Sequence, residues 1–150
     1  MVLACLLADL MPGTARPAAA QSLAPPAPIA SPLGDLLGQA RRRLDAGQPE
    51  AAYRLLEPRS ALYAGSVDFD YLLGLAALDS GRPGEAVLAL ERVLAAEPGN
   101  LPARAEIGRA YLELRELESA RRELETVARS ELPPQVRDTV RRYLDTVARL

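Results

Sequence analysis

Small side chains recur along this chain at an interval of 34 residues, and that interval limits the possible folds more than any other feature. Ala40, Gly74 and Gly108 share one phase, and Ala52, Ala86 and Ala120 share a second. Gly47 with Gly81, and Pro49 with Pro83, keep the same spacing. A repeat of this length carries one helix–turn–helix unit, whose apolar face is covered only when a neighbouring unit stacks on it. The expected product is an all-α, right-handed superhelical solenoid with a concave wall that can hold a partner.

Composition supports helix and argues against catalysis. Leu and Ala dominate the body, β-branched residues are sparse, and the aromatics are five tyrosines and Phe69. The formal net charge of −2 indicates neither a nucleic-acid surface nor an acidic tail. His is absent and Cys5 is the one cysteine, so the usual general base and the commonest metal ligand are missing. No phosphate-binding loop or metal-ligand spacing is present. Carboxylate pairs such as Glu116 with Glu118, or Glu123 with Glu125, lack a His partner, and Glu118 and Glu125 stand three or four residues from Arg121 and Arg122, as helix-surface ion pairs do. No enzymatic activity, no cofactor and no metal are expected.

Along the chain, an apolar start followed by Ala18-Ala19-Ala20 and Gln21 predicts a secretory signal peptide over residues 1–20. Asp9 and the lack of a leading basic residue depart from that pattern. Residues 21–32 form an Ala/Pro-rich linker. The folded domain spans 33–150, with units at about 33–66, 67–100 and 101–134 and a capping helix at 135–149. Ser31 and Pro32 start the first helix, and Pro58 kinks or ends the second. Gly65 provides a left-handed exit, Asp68 caps the next helix and Asn100 caps the third unit. The third unit turns near Arg115 and Glu116 without glycine. In the last helix, Val136, Val140, Tyr143, Leu144 and Val147 share one face, and Arg142 stands where the repeats carry Ala or Gly. Arg142 would keep another helix from packing closely, so this helix gives the stack a polar end.

The residues around the small phases resemble the tetratricopeptide repeat family. Its Trp-x-x-Leu-Gly-x-x-Tyr pattern appears as Asp70-Tyr71-Leu72-Leu73-Gly74-Leu75-Ala76-Ala77, and again as Arg104-Ala105-Glu106-Ile107-Gly108-Arg109-Ala110-Tyr111. Ala86 with Leu90 and Ala120 with Leu124 fill the later Ala and Phe phases, and Pro98 the terminal one. The first unit keeps Ala40 and Ala52 but has Arg43 at the Tyr phase. More narrowly, Phe69 to Leu94 and Leu132 to Leu144 resemble the periplasmic repeat region of surface lipoprotein assembly modifiers. In that family a signal peptide and helical repeats precede an outer-membrane β-barrel that helps display lipoproteins. The resemblance implies a periplasmic module that binds another protein or a peptide segment, and no nucleic acid. This segment itself is not expected to insert into a membrane. A structural scaffold for self-assembly, or a generic adaptor of envelope biogenesis, is the alternative.

In such repeats the first helix of each unit lines the groove. By phase, that places Leu37, Arg41, Leu44 and Asp45 on the concave wall in the first unit. Asp68, Tyr71, Leu75 and Asp79 follow in the second, and Ala105, Arg109, Leu112 and Glu113 in the third. Tyr71 and the leucines are expected to grip a peptide, with Arg41 and Arg109 reading carboxylates or carbonyls, because guanidinium binds carboxylate in two places. The Lys and Asn clamp of the chaperone-binding subset is absent, since its phases hold Leu37, Arg41 and Leu72.

Overall fold

Ser31 caps the first helix: its side chain accepts a hydrogen bond from the Gly34 amide at 2.9 Å, and Pro32 takes the first helical position, where no donor is required. The computed structural model describes residues 31–150, so the expected signal peptide and the linker up to residue 30 lie outside the described residues. Among the described residues the chain forms eight α-helical segments and no strand. They are α1 (Pro32–Asp45), α2 (Pro49–Leu56), the single turn α3 (Ser60–Tyr63), α4 (Val67–Asp79) and α5 (Pro83–Ala96). Then come α6 (Leu101–Glu113), α7 (Leu117–Ala128) and α8 (Pro134–Arg149). Helices α1 with α2, α4 with α5 and α6 with α7 pack as pairs, and α8 lies against α7 and α6. The all-α repeat architecture implied by the 34-residue period is the one found.

The turn inside each pair is built the same way three times. The amides of Gln48, Arg82 and Glu116 donate to the carbonyls of Arg43, Ala77 and Tyr111 at 2.8, 2.9 and 2.9 Å. Those of Gly47, Gly81 and Arg115 donate to Leu44, Leu78 and Leu112 at 2.9, 3.0 and 3.1 Å. This double closure requires a left-handed residue just past the helix. Gly47, Gly81 and Arg115 supply it, with φ of 68°, 76° and 63°. Glycine reaches that conformation freely, whereas Arg115 is strained there by about 1 kcal/mol or more. The packing of α6 on α7 holds it in place.

The first small phase works within a pair. A Cβ added to Gly74 would stand 2.6 Å from Leu90 Cγ, and one added to Gly108 would stand 2.7 Å from Leu124 Cγ. In the first unit the same phases hold Ala40 and Leu56, both fully buried in one cluster. The second small phase works between pairs. Ala86 is buried among residues of α4, α5 and α6, and Ala120 among residues of α7 and α8.

One local expectation is corrected. Asp68 does not cap α4; Ser66 holds the N-cap position without a side-chain capping bond, and Asp68 is the second helical residue. It still meets the positive end of the helix dipole. Pro58 does end α2, but the chain keeps turning: Glu57–Arg59 form a 3-10 turn that leads into α3. Gly65, at φ 94°, then redirects it into α4.

The Trp phase of the repeat pattern holds charge in two units. Asp70 is fully buried, accepting from the Gly65 amide at 2.7 Å and from the Arg92 guanidinium at 2.6 and 3.0 Å. Arg104, one repeat later, donates to Glu123 at 2.7 Å and to the Pro98 carbonyl at 2.9 Å. An acid on the first helix meets a base on the second in one unit, and the signs are exchanged in the next.

Candidate binding groove

The groove is assembled from the start of α6, the start of α8 and one ring from α4. Leu101 enters α6 immediately after Asn100, whose side chain accepts the Ala103 amide at 3.0 Å and donates to Glu97 at 2.9 Å. That cap fixes the first turn of α6, bringing Leu101, Pro102, Ala105 and Glu106 to one side. On the facing side, Pro133 and Pro134 restart the chain, and α8 presents Gln135, Val136, Thr139, Val140 and Tyr143. Between them lies a hollow of about 630 Å³, with Val127 of α7 and Leu132 also lining it and Tyr71 of α4 contributing a ring.

The hollow stays open because α8 uses its apolar face unevenly. Val140 and Val147 are buried against α7, while Val136, one turn earlier, is 42% exposed. A smaller hollow of about 260 Å³ adjoins it, sharing Tyr71 and Pro102 and lined also by Val67, Asp68, Glu97 and Asn100.

The charged residues nearby are only partly neutralised. Arg109 of α6 donates to Asp79 at the end of α4. Its Nε is also 3.3 Å from Glu106 Oε2, but the two are not aligned as a hydrogen bond, and neither atom has another partner among the described residues. Burial pushes the Glu106 carboxyl above its ordinary pKa, against the pull of Arg109 and with added repulsion from Asp79 and Glu113. Burial likewise pushes the Tyr71 phenol up, with Glu106 adding to the effect.

Of the twelve residues assigned to the wall by phase, Tyr71 and Ala105 line the larger hollow and Asp68 the smaller. Leu37, Leu44 and Leu75 are half-buried and pack against the core cluster of the first two units, and Leu112 packs against that of α7 and α8. Arg41, Asp45 and Glu113 are exposed. Asp79 and Arg109 face one another, so the Arg109 guanidinium already has a carboxylate. Phase reasoning missed the contribution of α8, which was expected to act only as a cap. Its signal was in the sequence: Val136 extends the Val140–Val147 apolar face by one turn toward the start of α8. Among the described residues there is no group of acids, His or Cys placed to hold a metal, and no helix long and apolar enough to cross a membrane. What this arrangement offers is a shaped apolar surface with a few carboxylates and phenols.

Comparison with known proteins gives the same architecture. Residues 77–150 match the family described as tetratricopeptide repeat. The fold is similar to the type III secretion chaperone SycD of Yersinia enterocolitica in complex with a peptide of the translocator YopD. There the TM-score is 0.68 at 17% identity, covering 77% of this chain and 92% of that one. It is also similar to the tetratricopeptide repeat domain of Sgt2 from Aspergillus fumigatus, with TM-score 0.65, 17% identity and 79% of each chain covered. MamA gives a TM-score of 0.59 at 22% identity, over 76% of this chain and 75% of that one. Identities this low establish likeness of fold. No curated protein matches the sequence.

Proposed function

We propose that this chain, whose residues 77–150 match the tetratricopeptide repeat family, is a protein-interaction module that holds a polypeptide segment along its concave side. The observation that carries this is the apolar hollow between α6 and α8, walled by Leu101, Ala105, Val136 and Val140 and overlooked by Tyr71 and Tyr143. An apolar hollow of this size beside a few directed polar groups is what a buried side chain of a partner fits. The similar fold of SycD, solved with a peptide of YopD, supports this reading. Site-specific photocrosslinking in cells tests it. A photoreactive residue at Ala105 or Val136 should give a discrete protein adduct, while one at the exposed Leu88 of α5 should not. Equal labelling at all three positions contradicts the assignment.

The proposal extends to a role at the bacterial envelope, as the periplasmic part of an outer-membrane lipoprotein assembly or export factor. Its support is the order of apolar leader, Ala/Pro linker and repeats, together with the narrower resemblance over residues 69–94 and 132–144. Fractionation followed by N-terminal sequencing checks it. The protein should be recovered in the periplasm with its leader removed near Ala20, and an uncleaved cytoplasmic protein excludes this setting.

A further inference from the structure

Charge in the groove is of one sign. Glu106 and Glu131 line the larger hollow, Asp68 and Glu97 the smaller, and no arginine lines either. The chain as a whole has 18 basic and 20 acidic residues, so this segregation does not follow from composition. Arg109, the base beside Glu106, gives its Nη2 to Asp79, while its Nε stands 3.3 Å from Glu106 Oε2 without the alignment of a hydrogen bond. The Glu106 carboxylate thus sits in a largely apolar hollow without a hydrogen-bond donor among the described residues, a state that disfavours its charge. Two phenol rings from different helices, Tyr71 and Tyr143, line the same hollow and can turn electron-rich faces toward a cation.

Building on the proposed role as a polypeptide-binding module, we infer that the groove selects a segment in which a lysine or arginine stands among apolar residues. The cation seats at Glu106 beside Tyr71 and Tyr143, and its apolar neighbours lie against Leu101, Val136 and Val140. Binding supplies Glu106 with the donors it lacks, and the exposed Glu131 at the rim adds long-range attraction. This is the opposite preference from the carboxylate clamp that the sequence lacks.

A phage-displayed random nonapeptide library panned on the full chain, followed by fluorescence-polarisation titration of the best synthetic peptide, tests the inference. Enriched peptides should carry Lys or Arg flanked by apolar residues. Glu106→Gln should weaken binding about tenfold or more, and Glu131→Gln only about twofold to threefold. Replacing the peptide's lysine by norleucine should cost a similar factor in wild type and almost nothing further in Glu106→Gln, which assigns the loss to that pair. Thermal melting of Glu106→Gln at or above the wild-type midpoint separates lost recognition from lost folding. Enrichment of neutral or acidic peptides, or affinity indifferent to Glu106→Gln, overturns the cation preference and leaves the binding role standing. Enrichment of nothing overturns both.

Discussion

Replacing Gly74 by alanine sets two effects of known sign against each other. In an exposed helix interior the change adds about 1 kcal/mol of stability through helix propensity. Here the new methyl carbon would stand 2.6 and 2.8 Å from Leu90 Cγ and Cδ2, where ordinary carbon contacts are about 3.5–4.0 Å. Leu90 is fully buried and cannot swing into solvent, so α4 and α5 must separate by roughly 1 Å. Overpacking of this kind costs about 1–3 kcal/mol. The clash prevails, leaving a net loss of up to about 2 kcal/mol and a lower melting midpoint by roughly 3–8 °C for a domain of this size. Gly84, in the first turn of α5, is the internal control: a Cβ there meets nothing within 4 Å, and its alanine variant should melt at or slightly above wild type. Circular dichroism melts of both variants decide the matter. A Gly74→Ala protein as stable as Gly84→Ala would refute close approach at the small phase.

Three further outcomes follow from the same geometry. Arg115→Gly should stabilise the protein by about 1 kcal/mol in chemical denaturation, because it relieves the left-handed strain at φ 63°, whereas Gly81→Ala should destabilise by a similar amount. Asp70→Asn keeps the shape but weakens the bonds to Arg92 and the Gly65 amide, and should lower stability by about 1–3 kcal/mol; an unchanged denaturation midpoint would mean the buried ion pair contributes nothing. Glu106 has a folded-state pKa above its ordinary value, so the stability linked to its protonated form is complete below that value and is lost as pH rises through the raised one. The advantage of Glu106→Gln over wild type at about pH 7 should therefore close as pH falls toward about 4, read from paired melts.

The solenoid was legible because its determinants are local and periodic. Small residues at fixed phases, Pro49 and Pro83 opening second helices, and Gly47 and Gly81 closing first ones each act within a few residues of themselves. The third turn shows why the pattern tolerates loss: at Arg115 the backbone adopts the glycine conformation because the helices on either side require it. The Asp70–Arg92 pair was hidden because its partners are 22 residues apart and break the apolar habit of their phase. The groove was legible only in part. Phase along one helix names Tyr71 and Ala105, which line the larger hollow, but a hollow depends on how far neighbouring helices stand apart. The angle at which α8 leaves Pro133, and hence the exposure of Val136, is a tertiary property. The mutual engagement of Asp79 and Arg109 spans 30 residues and escaped for the same reason.

The most direct test of the central claim is backbone amide NMR of the full chain titrated with the tightest selected peptide. Shifts should concentrate on Tyr71, on Leu101 to Glu106 and on Gln135 to Tyr143, with Leu88 and the outer faces of α5 and α7 unmoved. A perturbation centred on those outer faces, with the α6–α8 hollow silent, would contradict binding along the concave side.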